Sequence, residues 1–211
     1  TNSDAKNSST YKETRDHTIN SLLQYNLSYP LKKTGIDYKD IFKPLSTLKF
    51  SPNKSKNKKD VITRIDVDNI FSLNRIGQSD SVEGGLSLSY GVEYLKMNLK
   101  DQNIFEAKIA SQTRLKEDKK LSQSSTLGKR SSDIVGNFKI NPSEFIKFNY
   151  DFSVDENMND TNFESLTSSL QINNFVTSFE YLNENTKQKN SYLTNESSFK
   201  FDSNKKIAFK T

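Results

Sequence analysis

The sequence predicts an all-β protein, and three observations lead to that fold class. Only 32% of the 211 residues are hydrophobic, yet the chain has 14 Phe and 9 Tyr, an aromatic content that argues against disorder. Many segments alternate apolar and polar residues, which places the apolar side chains of a strand on one face. The connections alternate between short and long, as in outer-membrane barrels. We therefore predict an antiparallel transmembrane β-barrel segment, an up-and-down meander of about ten strands and an incomplete part of a larger barrel.

Composition excludes several other classes of protein. No run approaches the roughly 18 continuous apolar residues of a membrane-spanning helix. The long Val, Ile and Leu runs of buried parallel strands are missing, which argues against a thick-cored α/β enzyme. Because the chain has no cysteine, it has neither a disulfide framework nor a thiolate metal site.

The chain divides into a polar leader, residues 1–17, and a barrel region, residues 18–211. The clearest strand alternates five apolar residues, predicted to face lipid, with polar residues that line the lumen: Ile146, Phe148, Tyr150, Phe152 and Val154. The predicted strands are 18–29, 43–52, 82–96, 103–115, 133–141, 144–155, 162–172, 175–184, 190–202 and 205–211. Strands of about ten residues suit a tilted crossing of a bilayer.

The connections distinguish the two ends of the predicted barrel. Those at 141–143, 173–174 and 203–204 are tight and contain the Asn, Pro and Ser that turns favour, whereas 116–132, 156–161 and 185–189 are longer. Periplasmic turns of outer-membrane barrels are short and extracellular loops are long. On pattern alone, two alternatives stay open: an unrelated porin-like small barrel and a soluble β-sandwich binding or adhesin module. The chain stops within a strand pattern, so we expect it to be a piece of a longer protein.

Motifs that would indicate chemistry fail on context. Ser51-Pro52-Asn53-Lys54 and Lys33-Thr34-Gly35 spell two penicillin-binding signatures, but in reversed order and with a proline opposing the required helix. We therefore predict no enzyme, with no catalytic residue, no cofactor and no metal site. The acidic segment 155–160 consists of good turn formers, and a divalent-ion site there is the alternative.

Four lysines follow the second predicted strand. They are Lys54, Lys56, Lys58 and Lys59. No aromatic residues alternate with them to stack bases, so we predict no nucleic-acid partner. A solvated loop is the first interpretation, and a contact with anionic lipid headgroups is the second.

One segment carries a more specific pattern. It reads Asp66-Val67-Asp68-Asn69-Ile70-Phe71-Ser72-Leu73-Asn74-Arg75-Ile76-Gly77, then Asp80-Ser81-Val82-Glu83-Gly84-Gly85. It resembles the C-terminal barrel region of the LPS-assembly outer-membrane protein family (LptD, also called OstA or Imp), which has a D-N-x-F-S-x-N-R-x-x-G-x-D-R-x-E-x-G-like stretch. Similar flanking elements are 29–31, 48–53, 130–136 and 141–143. The chain departs at Ser81, where the family often has Arg, and it lacks the family's disulfide cysteines.

The resemblance implies a role in lipopolysaccharide export at the outer membrane of a Gram-negative bacterium. Members of the family receive lipopolysaccharide from periplasmic bridge proteins through an N-terminal jellyroll domain. The lipid leaves sideways into the outer leaflet, and a lipoprotein plugs the lumen. The implied partners are therefore lipopolysaccharide, outer-membrane lipid, the plug lipoprotein and the periplasmic bridge. We expect this chain to cover a middle-to-late part of the barrel wall, without the jellyroll and the gate strands.

The family-like segment is the candidate functional loop. We expect it to pack into or over the lumen, where Arg75 pairs with a carboxylate because an inward charge in a barrel needs a partner. A simple hairpin with Asn and Gly turns is the alternative. The residues assigned to this loop are Asp66, Asp68, Asn69, Phe71, Asn74, Arg75, Gly77, Asp80 and Gly84.

Overall fold

The computed structural model describes residues 19–78, 81–185, 189–201 and 205–211, together with the backbone of 2–3 and 16–17. This described part contains thirteen strands and no helix, hence no helix that could cross a membrane. The strands are β1 (Asn2–Ser3), β2 (Asp16–His17), β3 (Leu23–Ser28), β4 (Leu31–Thr34), β5 (Tyr38–Ser51), β6 (Gly85–Asn98), β7 (Asn103–Arg114), β8 (Ile134–Ser143), β9 (Ile146–Val154), β10 (Thr161–Ile172), β11 (Phe175–Asn185), β12 (Lys189–Lys200) and β13 (Lys206–Lys210).

Strands β3 to β13 form one antiparallel sheet of eleven strands. From β5 to β13 each strand pairs with the next in the chain, while β3 and β4 both pair with β5. Pro30 lies between β3 and β4, where a residue without an N–H interrupts the ladder. No pairing joins β13 to β3 or β4 among the described strands, so the sheet is not closed. The all-β antiparallel meander is confirmed, and strands β3 to β13 do not divide into two stacked sheets.

The N-terminal part differs from the predicted strands. β5 begins at Tyr38 rather than near residue 43, and β4 occupies a segment predicted as a connection. Charged residues interrupt the apolar alternation of this hairpin, and their partners are distant in the chain. Lys39 pairs with Asp101 at 2.7 Å, and Asp40 accepts a hydrogen bond from the Tyr94 hydroxyl at 2.7 Å. In the predicted polar leader, β1 pairs with β2 as a separate two-stranded sheet.

The connections alternate between short and long where they are described, but the predicted tight connection at 141–143 lies within β8 and the turn follows it. Short turns occupy 99–102, 144–145 and 173–174, and Asp101 and Asn173 adopt left-handed φ values of 59° and 50°. The segments 52–84, here called loop A, and 115–133, loop B, are long. The predicted turn at 203–204 and most of the connection 185–189 lie outside the described residues.

The sheet has two faces of different composition. Paired residues in antiparallel strands share a face, and the register aligns Ile140 with Phe148 and Leu166 with Tyr150. This outer face carries exposed apolar side chains, including Phe148 (42% exposed) and Phe179 (49%). The five residues predicted to face lipid all lie on it: Ile146, Phe148, Tyr150, Phe152 and Val154.

The hydrophobic core lies on the opposite, inner face. Ala110 of β7 and Val135 of β8 pack there against buried side chains of loops A and B. The loop residues of this core are Ile65, Ile70, Ile76, Leu121 and Leu127. The two long loops therefore fold back over the inner face of the sheet at one end of the strands.

Candidate functional site

Loop A is ordered locally by side chains that bond to its own backbone. Asp66 Oδ1 accepts hydrogen bonds from the N–H groups of Asp68 (3.0 Å) and Asn69 (2.8 Å). Asn69 Oδ1 accepts the N–H of Asp66 at 3.1 Å, and its amide donates to the Arg64 carbonyl at 2.8 Å. Such Asx interactions favour tight turns. They fix a single helical turn that ends with Ile70 N–H donating to the Asp66 carbonyl at 3.0 Å.

A second turn follows around Asn74. Its Oδ1 accepts the N–H of Gly77 at 3.1 Å, and its amide donates to the Gln78 carbonyl at 3.1 Å. Gly77 has φ 72°, a left-handed conformation that a side chain would strain. Between the two turns, Phe71 packs against the hydrophobic core, and its carbonyl accepts a hydrogen bond from Gln24 at 3.1 Å.

The two turns direct Arg75 towards a buried carboxylate. Arg75 Nε donates to Glu83 Oε2 at 2.9 Å, and its Nη2 also donates to Glu83. Arg114 of β7 donates to the same carboxylate, and Lys49 Nζ of β5 lies 3.8 Å from it. All four side chains are at most 3% exposed. We call this group of Lys49, Arg75, Glu83 and Arg114 the Glu83 cluster.

The Glu83 cluster attaches loop A to three strands. Arg75 donates to the hydroxyls of Ser87 and Ser89 of β6, each at 2.8 Å. Lys49 Nζ donates to the carbonyls of Ser72 and Leu73 at 2.9 Å each. Burial lowers the pKa of Arg75, and this effect opposes the influence of Glu83. Three cationic groups thus share one buried carboxylate, so the cluster depends on Glu83 remaining charged.

Gly84 allows the end of loop A to approach the start of the same loop closely. A Cβ at this position would lie 2.2 Å from the Asn53 carbonyl oxygen and 2.9 Å from the Ser55 nitrogen. Gly84 N–H donates to Ser55 Oγ at 2.9 Å, and Ser55 Oγ donates to Asp118 Oδ2 of loop B at 2.5 Å. This chain of contacts connects the start and end of loop A to loop B.

The structure brings most residues of the family-like segment into one ordered loop. Asp80 lies outside the described residues. The carboxylate partner of Arg75 is Glu83, which the sequence pattern contained without assigning it a role. Sequence reasoning missed Lys49 and Arg114 as well. Each of them lies at a strand position whose neighbours in the chain face outward. A charge at such an inner-face position requires a partner, and this was the signal that could have identified them.

Beyond the loops, a row of charges crosses the inner face. Lys43 of β5 pairs with Glu93 of β6 at 2.6 Å, and Glu93 lies opposite Lys108 of β7. Glu106 accepts from Lys108 at 2.9 Å and lies 3.6 Å from Lys139 of β8. The inner face is therefore hydrophilic next to the core.

The acidic connection after β9 uses its carboxylate internally. Asp155 Oδ1 accepts hydrogen bonds from the N–H groups of Asp160 (3.1 Å) and Asn159 (2.6 Å). The hydrogen bonds from the Asp160 and Asn159 backbone lower the pKa of Asp155. Within the described ranges, no three His, Cys, Asp or Glu side chains are placed to hold a metal ion.

The sequence is also similar to a known protein family. A family model described as LptD: LPS transport system D matches residues 4–208. No curated protein matches the chain significantly. The family match covers loop A, loop B and every strand from β3 to β12.

Proposed function

The chain belongs to the LPS transport system D family, a family of lipopolysaccharide transport at the outer membrane, and from this we propose that it forms part of a barrel wall that transports lipopolysaccharide and inserts it into the outer leaflet. The observation that carries the proposal is the single sheet with an apolar outer face and a hydrophilic inner face partly covered by loops A and B. A wall between acyl chains and a wet lumen requires this division.

The outer face supports contact with lipid. Its exposed apolar residues extend across the sheet, from Leu48 of β5 through Phe148 of β9 to Phe209 of β13. A large contiguous apolar surface on a protein marks contact with a membrane or another protein. We assign Ile146, Phe148, Tyr150, Phe152 and Val154 to the lipid-facing surface of β9.

The inner face of β8 to β12 supports contact with the hydrophilic part of an amphiphile. A groove of about 400 Å³ opens there, and beside Phe148 and Phe179 its lining has hydroxyl, amide and charged groups. They include Lys139, Asn149, Thr167, Ser178, Glu180 and Thr194. Such groups solvate sugars and phosphates in a water-filled lumen. The plug lipoprotein and the periplasmic bridge proteins are the protein partners in this proposal, and the location is the outer membrane of a Gram-negative bacterium.

Loop A forms an ordered cover on the lumen in this proposal. Its contacts through the Glu83 cluster reach β5, β6 and β7, so the loop is fixed to the wall along several strands. Asp66, Asn69 and Asn74 shape the loop, and Arg75 anchors it. None of these residues performs bond chemistry; they set what space is left for a passing lipid.

Repression of the complete protein in its own bacterium tests the transport role. Lipopolysaccharide labelled by a radioactive pulse should then stop reaching the cell surface. It should accumulate on the inner side of the outer membrane. Other outer-membrane barrels should still assemble at the time when transport falls, which separates this effect from general envelope failure. If lipopolysaccharide still reaches the cell surface at an unchanged rate after the protein has been depleted, the proposal is refuted.

A further inference from the structure

We propose that a cleft at the loop end of the sheet binds a phosphate group. The cleft has a volume of about 600 Å³ and lies where the ends of β5, β6 and β7 meet loops A and B. We call it the rim cleft. It is lined by Lys54 of loop A, by Arg114 at the end of β7, and by Lys116 and Lys120 of loop B. The inference goes beyond the transport role and does not depend on it.

The charge of the rim cleft favours an anion. Glu117 and Asp118 are the acidic residues of its lining, against three lysines and one arginine. Asp118 is already occupied, because its Oδ2 accepts from Ser55 Oγ at 2.5 Å and its Oδ1 accepts from the Lys120 N–H at 3.0 Å. The ammonium groups of the three lysines form no ion pair with any described residue. Positive charge is therefore left for a ligand.

The Glu83 cluster adds to this positive charge from below. Arg114 belongs both to the cluster and to the lining of the cleft. The cluster has three cationic groups and one carboxylate, all buried away from water. Arg114 Nε is buried and has no acceptor among the described residues. Charges in a poorly hydrated region are weakly screened. The excess positive charge of the Glu83 cluster therefore acts on an anion in the rim cleft. The exposed lysines make the direct contacts, and Arg114 strengthens the field.

The rim cleft is held in shape without a ligand. Asp118 N–H donates to the Gly128 carbonyl at 2.8 Å, and Lys58 N–H donates to the Lys120 carbonyl at 2.7 Å. Together with the Ser55–Gly84 contact, these bonds fix the backbone that carries the lysines. A preformed site loses less conformational entropy on binding, so a compact anion gains more from it.

The neighbourhood of the cleft points to a phosphate group. Lysines bind phosphate as point charges from several directions. Phe50, 46% exposed on the apolar outer face, also borders the cleft. A phosphate on a lipid headgroup reaches the cleft from that side, and free inorganic phosphate reaches it from solution. Both sources offer the same chemistry, and the experiment distinguishes them.

The test uses the complete protein, purified in detergent, at constant ionic strength. The variant replaces the three lysines of the cleft: K54Q, K116Q and K120Q. The matched control makes the same change of charge at the short-turn end of the strands: K33Q, K100Q and K206Q, all exposed. One arm measures inorganic phosphate by calorimetry. For the other arm the protein is transferred from detergent into nanodiscs. The amount of phosphatidylglycerol that stays bound to the protein is measured and compared with the amount of phosphatidylcholine, in which a quaternary ammonium balances the phosphate charge.

The cleft variant should lose at least tenfold in phosphate affinity or in phosphatidylglycerol retention, while the control keeps the affinity of the unaltered protein. Loss in both arms identifies a site for the phosphate group from either source. Loss in the lipid arm alone identifies a headgroup site, and loss in the calorimetric arm alone identifies a site for the free anion. Equal losses in the cleft and control variants, or no binding in either arm, overturn the proposal. Surface lipopolysaccharide delivery is scored separately, so failure here leaves the transport role untouched.

Discussion

Strands β5 to β8 and strands β9 to β13 belong to one sheet, but their inner faces have different surroundings. Loops A and B cover the first group, and nearly all buried residues of the described part lie there or in the loops. In the second group, Ser153 and Phe163 are the buried residues among those described. Even Phe163 depends on loop A, because Arg64 lies 3.7 Å above its ring.

The comparison shows that pairing alone does not bury side chains in this sheet. Both groups have antiparallel pairing between neighbouring strands and alternating faces. Burial arises only where a connection is long enough to fold back, as with loop A and loop B. We therefore expect substitutions in the loop-covered group to act through the loops, and substitutions in β9 to β13 to act through the face on which they lie.

The largest expected effect comes from Glu83→Gln. This change leaves the buried charges of Arg75, Arg114 and Lys49 without a counter-charge, which costs about 3–5 kcal/mol in comparable cases. We expect the thermal unfolding midpoint to fall and loop A to become sensitive to protease. The matched control is Glu196→Gln, an exposed glutamate on the inner face of β12. If both variants unfold at the same temperature, the cluster does not hold loop A.

The next effect distinguishes the two faces of the uncovered group. Phe148→Arg places a charge on the outer face, where burial in lipid costs about 2–4 kcal/mol at the bilayer centre and about 0–1 kcal/mol near the interfaces. Thr167→Arg places the same charge on the inner face at the same level, because Thr167 pairs with Asn149. Assembly into the outer membrane and heat resistance in SDS should fall for Phe148→Arg only. Equal losses would contradict the assignment of the lipid-facing surface.

A smaller effect should follow from crowding the contact between the two ends of loop A. In Gly84→Ala the new methyl group meets backbone atoms of Asn53 and Ser55, which cannot move aside as a flexible side chain would. Overpacking of this kind costs about 1–3 kcal/mol. Gly35→Ala is the control, because its Cβ would lie 3.4 Å from the nearest atom, the Tyr38 carbonyl oxygen. Because Ser55 also donates to Asp118 of loop B, protease cleavage in loop B should increase for Gly84→Ala alone.

The sequence predicts the strands better than it predicts the site. Alternation and turn residues located the elements from β6 to β13, because these patterns depend on neighbours in the chain. Strand β4 and the first residues of β5 were missed because their charged residues pair with partners far away, such as Lys39 with Asp101. The same reason explains the Glu83 cluster. Arg75 was expected to have a carboxylate partner, but Lys49 and Arg114 join it only through the register of three strands.

The smallest expected effect lies at the opposite end of the strands, where the described connections are short turns. Lys39 hydrogen-bonds Asp101, and this contact lowers the pKa of the Asp101 carboxyl. The ion pair therefore stabilises the fold above the ordinary pKa of Asp, about 3.9, and its contribution is lost as the pH falls through the lower folded value. Asp101→Asn removes the charge but keeps a residue that tolerates φ 59°. Its unfolding midpoint at pH 6 should lie slightly below that of the unaltered protein at low salt, and the difference should vanish in high salt or acid. A difference that persists in acid and in salt would show that the turn depends on the carboxylate through its geometry instead of its charge.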